Sequence, residues 1–99
     1  MGWDWDGFDW DEGNSTKNWD KHQVTKSECE EAFFNRPIVL LESHQMDLKE
    51  PRYVLLSQSN QNRLLTIVFT KRLTKVRVIS ARDMSKKERR LYVETHSQI

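Results

Sequence analysis

Cysteine, glycine and long apolar runs are scarce in this chain. Cys29 is the single cysteine, so no disulfide can close within the chain, and a lone thiol fits a reducing, cytoplasmic setting. Three glycines are too few for a glycine-rich phosphate cradle, and neither a Walker loop nor an H-E-x-x-H pair occurs. Apolar runs fall well short of the ~20 residues that a membrane span needs. The N-terminus lacks a basic stretch followed by an apolar one, so no signal peptide is expected. Hydrophobic residues make up 36% of the 99 positions, enough for one domain spanning 1–99 with a modest core. Residues 1–7, "MGWDWDG", are expected to form a flexible N-terminal extension.

Charge is present in quantity and unevenly placed. The formal net charge is only +1. Residues 1–50 nevertheless carry 12 acidic and 5 basic side chains, and residues 51–99 carry 3 acidic and 11 basic. The C-terminal half is therefore a candidate anion-binding surface, unless the two halves interleave in space and compensate.

The pattern along the chain predicts an α+β fold. Phe8 and Trp10 alternate with Asp9 and Asp11, which suits a short strand with one wet face. Gly13 to Thr16 supply turn and N-cap chemistry for a short helix reaching about His22. Thr25 and Glu28 form a capping box for a second helix, with Val24 and Cys29 placed as a hydrophobic staple. Cys29, Ala32 and Phe33 give that helix an apolar face, and Pro37 stops it. Cys29 is most simply a buried small hydrophobe. Four β-branched-rich runs follow, over 38–42, 52–58, 63–70 and 75–81. Their short connectors fit an antiparallel meander. Ser85 and Glu88 form a second capping box, opening a last helix anchored by Leu91 and Tyr92. The expected architecture is two N-terminal helices packed on an antiparallel sheet of four to five strands, plus a C-terminal helix.

Metal chemistry finds little support. With Asp4 at position 1 of a calcium loop, Phe8 falls at position 5, which needs an oxygen ligand, and Ser15 at position 12, which needs a bidentate glutamate. Cys29, His22, His44 and His96 lack metal-ligand spacing. No metal or cofactor is expected. The basic cluster is the stronger signal. Lys71, Arg72, Lys75, Arg77, Arg82, Lys86, Lys87, Arg89 and Arg90 face only Asp83 and Glu88 within residues 71–90. Arginine grips phosphate oxygens bidentately, and a helix N-terminus beside it adds free N–H groups. Arg77 and Arg82 lie within or at the end of an apolar strand, where an unpaired charge is costly. Five residues apart, they share a face only if the strand ends or bulges near Ala81.

These stretches resemble the BrnT family of bacterial type II toxins, small ribonucleases with a RelE-like fold. The resemblance is carried by "FDWDEGN" with Lys17 and Asn18, "KHQV" with "EEAFFNRP", "EPRY", and "VRVISARDMSKKERRLY". Together they span Phe8 to Tyr92. The family pattern reads Lys-His-Gly-Val where this chain has Gln23, and it commonly has a glycine in the region of Ser57. Small residues and a lysine are usual where Asp83 and Met84 stand. The resemblance implies an endoribonuclease that cleaves cellular RNA and arrests growth. It also implies a cognate ribbon-helix-helix antitoxin, with operator DNA engaged only through that antitoxin, and no membrane.

Metal-free RNA cleavage uses the ribose 2′-OH as nucleophile, and the enzyme must move two protons and neutralise phosphate charge. Arg77 and Arg82 suit the neutralisation, His22 suits proton transfer, Lys21 can assist, and Tyr92 can stack a base or donate a hydrogen bond. Arg63, Lys75, Lys86, Lys87 and Arg89 are candidate contacts to the RNA backbone. The competing reading is a non-catalytic module, binding nucleic acid or the antitoxin through the same basic face.

Overall fold

The computed structural model describes residues 7–11, 23–35, 38–42 and 51–97. Helix α1 (Lys26–Phe34) is followed by strands β1 (Val39–Glu42), β2 (Tyr53–Gln58), β3 (Leu64–Arg72) and β4 (Lys75–Asp83), then by helix α2 (Lys86–Ser97). The four strands form one antiparallel sheet in the order β1-β2-β3-β4, the expected meander.

Both capping boxes form. Thr25 Oγ1 accepts from the Glu28 N–H at 3.1 Å, and the Glu28 carboxylate accepts from the Thr25 N–H at 3.0 Å. Ser85 and Glu88 repeat the exchange at 3.2 and 2.9 Å. Each box satisfies donors that a helix start leaves open. Val24 and Cys29, the staple pair, are both buried.

The sheet separates two cores. On one side Leu55, Leu65, Ile67, Phe69, Val76, Val78 and Ala81 pack with Cys29, Ala32 and Phe33 of α1. On the other, Val39, Leu56, Met84 and Tyr92 form a smaller cluster under α2. Cross-strand partners share a face, so the register assigns Thr66, Thr70, Arg77 and Arg82 to the α2 side.

One expectation is corrected. Two helices do not precede the sheet: among the described residues α1 alone comes before it, and α2 follows it. The stretch expected to make the first helix, ending at His22, lies outside the described residues, as do residues 1–6. Among the described residues, an aromatic segment helps to cover the α1 side of the sheet. Phe8 forms a parallel bridge to Val76 and meets Phe33 edge-on at 5.4 Å. Trp10 lies against the same core, and its Nε1 donates to Glu30 at 2.7 Å. Among the described residues, Phe8, Trp10 and α1 pack over this face of the sheet. The expected wet face is present, with Asp9 and Asp11 open to solvent, and it also faces Arg77.

One backbone position bears on the resemblance. Gln23 has φ +56°, a conformation that glycine adopts without strain and other residues rarely do. A glycine there, as in Lys-His-Gly-Val, is what that backbone prefers. Leu73, in the two-residue hairpin between β3 and β4, has φ +57°.

Candidate nucleic-acid interface

Strand β4 carries the two arginines, and its shape decides whether they can act together. Val68 pairs with Ser80, but the next residue of β3, Phe69, pairs with Val78, so Ile79 is an extra residue on β4. Such a bulge shifts the side-chain alternation by one. Val76 and Val78 are buried before it and Ala81 after it. Arg77 and Arg82 consequently stand on the same face, across from Thr70 and Thr66.

Their surroundings differ. Arg77 sits at the end of β4 where Phe8 bridges. Asp9 N donates to Val76 O at 2.8 Å, and Val76 N donates to Gly7 O at 3.0 Å. This backbone pairing delivers Asp11 to Arg77 at 2.9 Å and Asp9 at 3.5 Å. The Arg77 side chain is 18% exposed.

Arg82 lies at the opposite end, beside the start of α2. Its Nη1 donates to Glu88 Oε1 at 2.7 Å and to Asp83 O at 3.2 Å, and its Nη2 donates to Glu88 Oε2 at 2.8 Å. Its side chain is 39% exposed. Glu88 Oε1 also accepts from Thr66 Oγ1 and from the Ser85 N–H, both at 2.9 Å. The Arg82 hydrogen bonds, opposed by burial and reinforced by Ser85 and Thr66, lower the Glu88 pKa to about 2. The same Glu88 bonds hold the Arg82 guanidinium above its ordinary range.

Arg63, expected to touch RNA, stands in a clamp of its own. It meets Asp83 through Nε at 2.7 Å and Nη2 at 3.2 Å, and Glu28 through Nη1 at 3.2 Å. Nη1 also donates to the carbonyl of Gln23 at 3.0 Å. Hydrogen bonding to Asp83, then to Glu28, keeps this guanidinium charged against burial. The clamp joins the start of α1, the start of β3 and the end of β4. Gln23, which follows Lys21 and His22 in the chain, is thereby tied to the end of the sheet that carries Arg82. Lys21 and His22 lie outside the described residues.

Tyr92 is 1% exposed, in the cluster with Val39, Leu56 and Met84, and burial pushes its hydroxyl pKa up. Lys75, Lys86, Lys87 and Arg89 are exposed. Cys29 is buried, and burial, with Glu28 and Glu30 nearby, raises its thiol pKa to about 12, so it is protonated and unreactive at neutral pH. Among the described residues no group of three or more His, Cys, Asp or Glu is placed to hold a metal ion. No helix among them is long and apolar enough to cross a membrane.

The carboxylate partners escaped the sequence reading. Glu88 was legible as a cap, because the box is local, but its hold on Arg82 needs the turn between β4 and α2. Asp9 and Asp11 reach Arg77 only through the bridge to Val76.

Residues 10–88 match the family model described as the ribonuclease toxin BrnT of type II toxin–antitoxin systems. The chain belongs to the BrnT family. The matched span runs from Trp10, which closes the α1 core, to Glu88, which holds Arg82, and it includes both β4 arginines. A ribonuclease toxin of a type II system has RNA as its substrate and an antitoxin as its partner. A search among curated proteins finds no significant match.

Proposed function

We propose that this BrnT-family chain is an endoribonuclease toxin that cleaves cellular RNA in the cytoplasm without a metal ion. A ribbon-helix-helix antitoxin neutralises it and carries it to operator DNA. One observation above all supports the reading: in a ribonuclease family, the bulge at Ile79 turns Arg77 and Arg82 to one face of the sheet, the face that also receives the N-terminus of α2.

Arg82 neutralises charge on the reacting phosphate. Arg77 is less exposed and roughly 15 Å further along an extended strand, so it meets a neighbouring phosphate and holds the N-terminal segment. His22 transfers a proton, with Lys21 as electrostatic support. The anchoring of Gln23 near the Arg82 end of the sheet favours this assignment. Tyr92 acts by packing behind the site. Lys75, Lys86, Lys87 and Arg89 follow the RNA backbone, so binding weakens steeply as salt rises.

The test is cleavage of RNA by purified, antitoxin-free protein in EDTA. Attack by the 2′-OH leaves fragments ending in a 2′,3′-cyclic phosphate. Cleavage that EDTA abolishes overturns the metal-free mechanism. One observation favours the non-catalytic module: both arginines already meet carboxylates. Salt-sensitive RNA binding without cleavage would establish that reading.

A further inference from the structure

We infer that Glu88 is a positioning residue for RNA cleavage: it occupies the end-on edge of the Arg82 guanidinium and turns the side-on edge toward the reacting phosphate. This rests on the proposed ribonuclease reading. Arginine has five N–H donors in a planar fork. Two on Nη1 are taken by Glu88 Oε1 and Asp83 O, and one on Nη2 by Glu88 Oε2. The Nε–H and the second Nη2 proton remain among the described residues, and they form the other bidentate edge of the same plane. With the side chain 39% exposed, that edge can grip a phosphate while the ion pair stays in place.

The carboxylate is itself held still. Glu88 Oε1 accepts from Arg82, Ser85 N and Thr66 Oγ1. A phosphate that displaced Glu88 would break this whole set. A phosphate on the side-on edge breaks none of it. With its oxygens receiving four donors, Glu88 is also poorly suited to take a proton from a 2′-OH, so its part is to aim Arg82.

Glu88→Gln separates aiming from capping. Glutamine keeps an oxygen for the Ser85 N–H but cannot accept both Arg82 donors. The expected result is a kcat lower by about ten- to a hundredfold, the scale of a misplaced catalytic group, with KM changed by less than about threefold. Ser85→Ala removes the other half of the capping box, and it should lower Tm and leave kcat in place. Added to Arg82→Ala, the Glu88→Gln change should cost nothing more, because the two residues act as one unit. An unchanged kcat in Glu88→Gln, a raised kcat, or a loss that multiplies with Arg82→Ala would overturn the inference.

A second readout is independent of cleavage. In ¹⁵N spectra the Arg82 Nε–H should shift when a 2′-O-methyl RNA oligonucleotide binds wild-type protein, and should not in Glu88→Gln. The same response in both proteins, or in neither, sinks the positioning role. A wild-type shift without any RNA cleavage sinks the ribonuclease reading and leaves the edge assignment standing.

Discussion

On its α1 side the sheet presents Leu55, Leu65, Ile67, Phe69, Val76 and Val78, all essentially closed to solvent. On its α2 side the same strands present Thr66, Thr70, Arg77 and Arg82 beside a smaller apolar cluster. The first face is apolar at its centre, keeps its charge to the Arg63 clamp at one end, and gains its stability from burial and ring packing. The second keeps enough apolar contact to seat α2 and leaves β4 room for two guanidinium groups. The bulge at Ile79 makes this division possible. Without it, a strict alternation would send one arginine to each side.

The division can be broken hardest at Phe33. Its ring is fully buried, edge-on to Phe8 at 5.4 Å and to Phe69 at 5.0 Å. Phe33→Ala is expected to remove about 3–5 kcal/mol, a large fraction of the ~5–15 kcal/mol that holds a typical domain. Urea unfolding measures it. A loss below about 1 kcal/mol would mean that the α1 face is not the main source of stability.

Arg82→Ala tests the other face. Losing one donor to developing phosphate charge typically costs ~3–4 kcal/mol of transition-state stabilisation, a rate loss of about a hundred- to a thousandfold, and the fold should persist. Arg77→Ala should behave differently. It releases Asp9 and Asp11 as well as any phosphate contact, so Tm and cleavage should fall together. Measuring melting and RNA cleavage on the same preparations decides both. Equal Tm losses in the two variants would erase the contrast between the ends of β4.

Much of this frame was legible from local patterns. Four strand positions followed from β-branched runs and short connectors, and both helix starts followed from Thr25–Glu28 and Ser85–Glu88, whose partners are three residues apart. Cys29 could be read as a buried hydrophobe from its place on the apolar side of α1. The bulge left a signal too: Val78 and Ile79 are adjacent apolar residues, and burial resumes at Ala81. The ion pairs were out of reach. Arg77 and Asp11 are 66 residues apart, and they meet only because Phe8 pairs beside Val76. The part of Phe8 and Trp10 in covering the α1 face was missed because they could be scored as a strand but not as a lid on Phe33. Arg63 was grouped with the RNA contacts by charge alone, since nothing local announces Glu28, Asp83 and Gln23 as its partners.

Acid should act mainly on the α2 face through Glu88. Its folded pKa, about 2, lies below the ordinary glutamate range. A depressed carboxylate pKa contributes stability that is fully present above the unfolded value and is lost as pH falls through the folded one. Wild-type protein should therefore lose more stability between about pH 5 and pH 2 than Glu88→Gln does. Urea midpoints at several pH values report the difference. Parallel acid profiles would show that the Arg82 pair adds little to folding.

The smallest effect lies on the dry face, where Ser57 is the exception. It is fully buried, paired in register with Leu65, and its Oγ is the one buried side-chain polar atom among the described residues with no hydrogen-bond partner. Burying a hydroxyl without a partner costs free energy that an alanine would not incur. Ser57→Ala also leaves the backbone ladder intact and removes only one oxygen, so little packing is lost. The expected result is a gain of up to about 1 kcal/mol, read as a raised urea midpoint with an unchanged m-value and unchanged RNA cleavage. A loss of about 1 kcal/mol or more would mean that the hydroxyl is satisfied in solution, by a buried water, for example. The α1 face would then not be the dry side of the sheet, and its contrast with the arginine-bearing face would be one of degree.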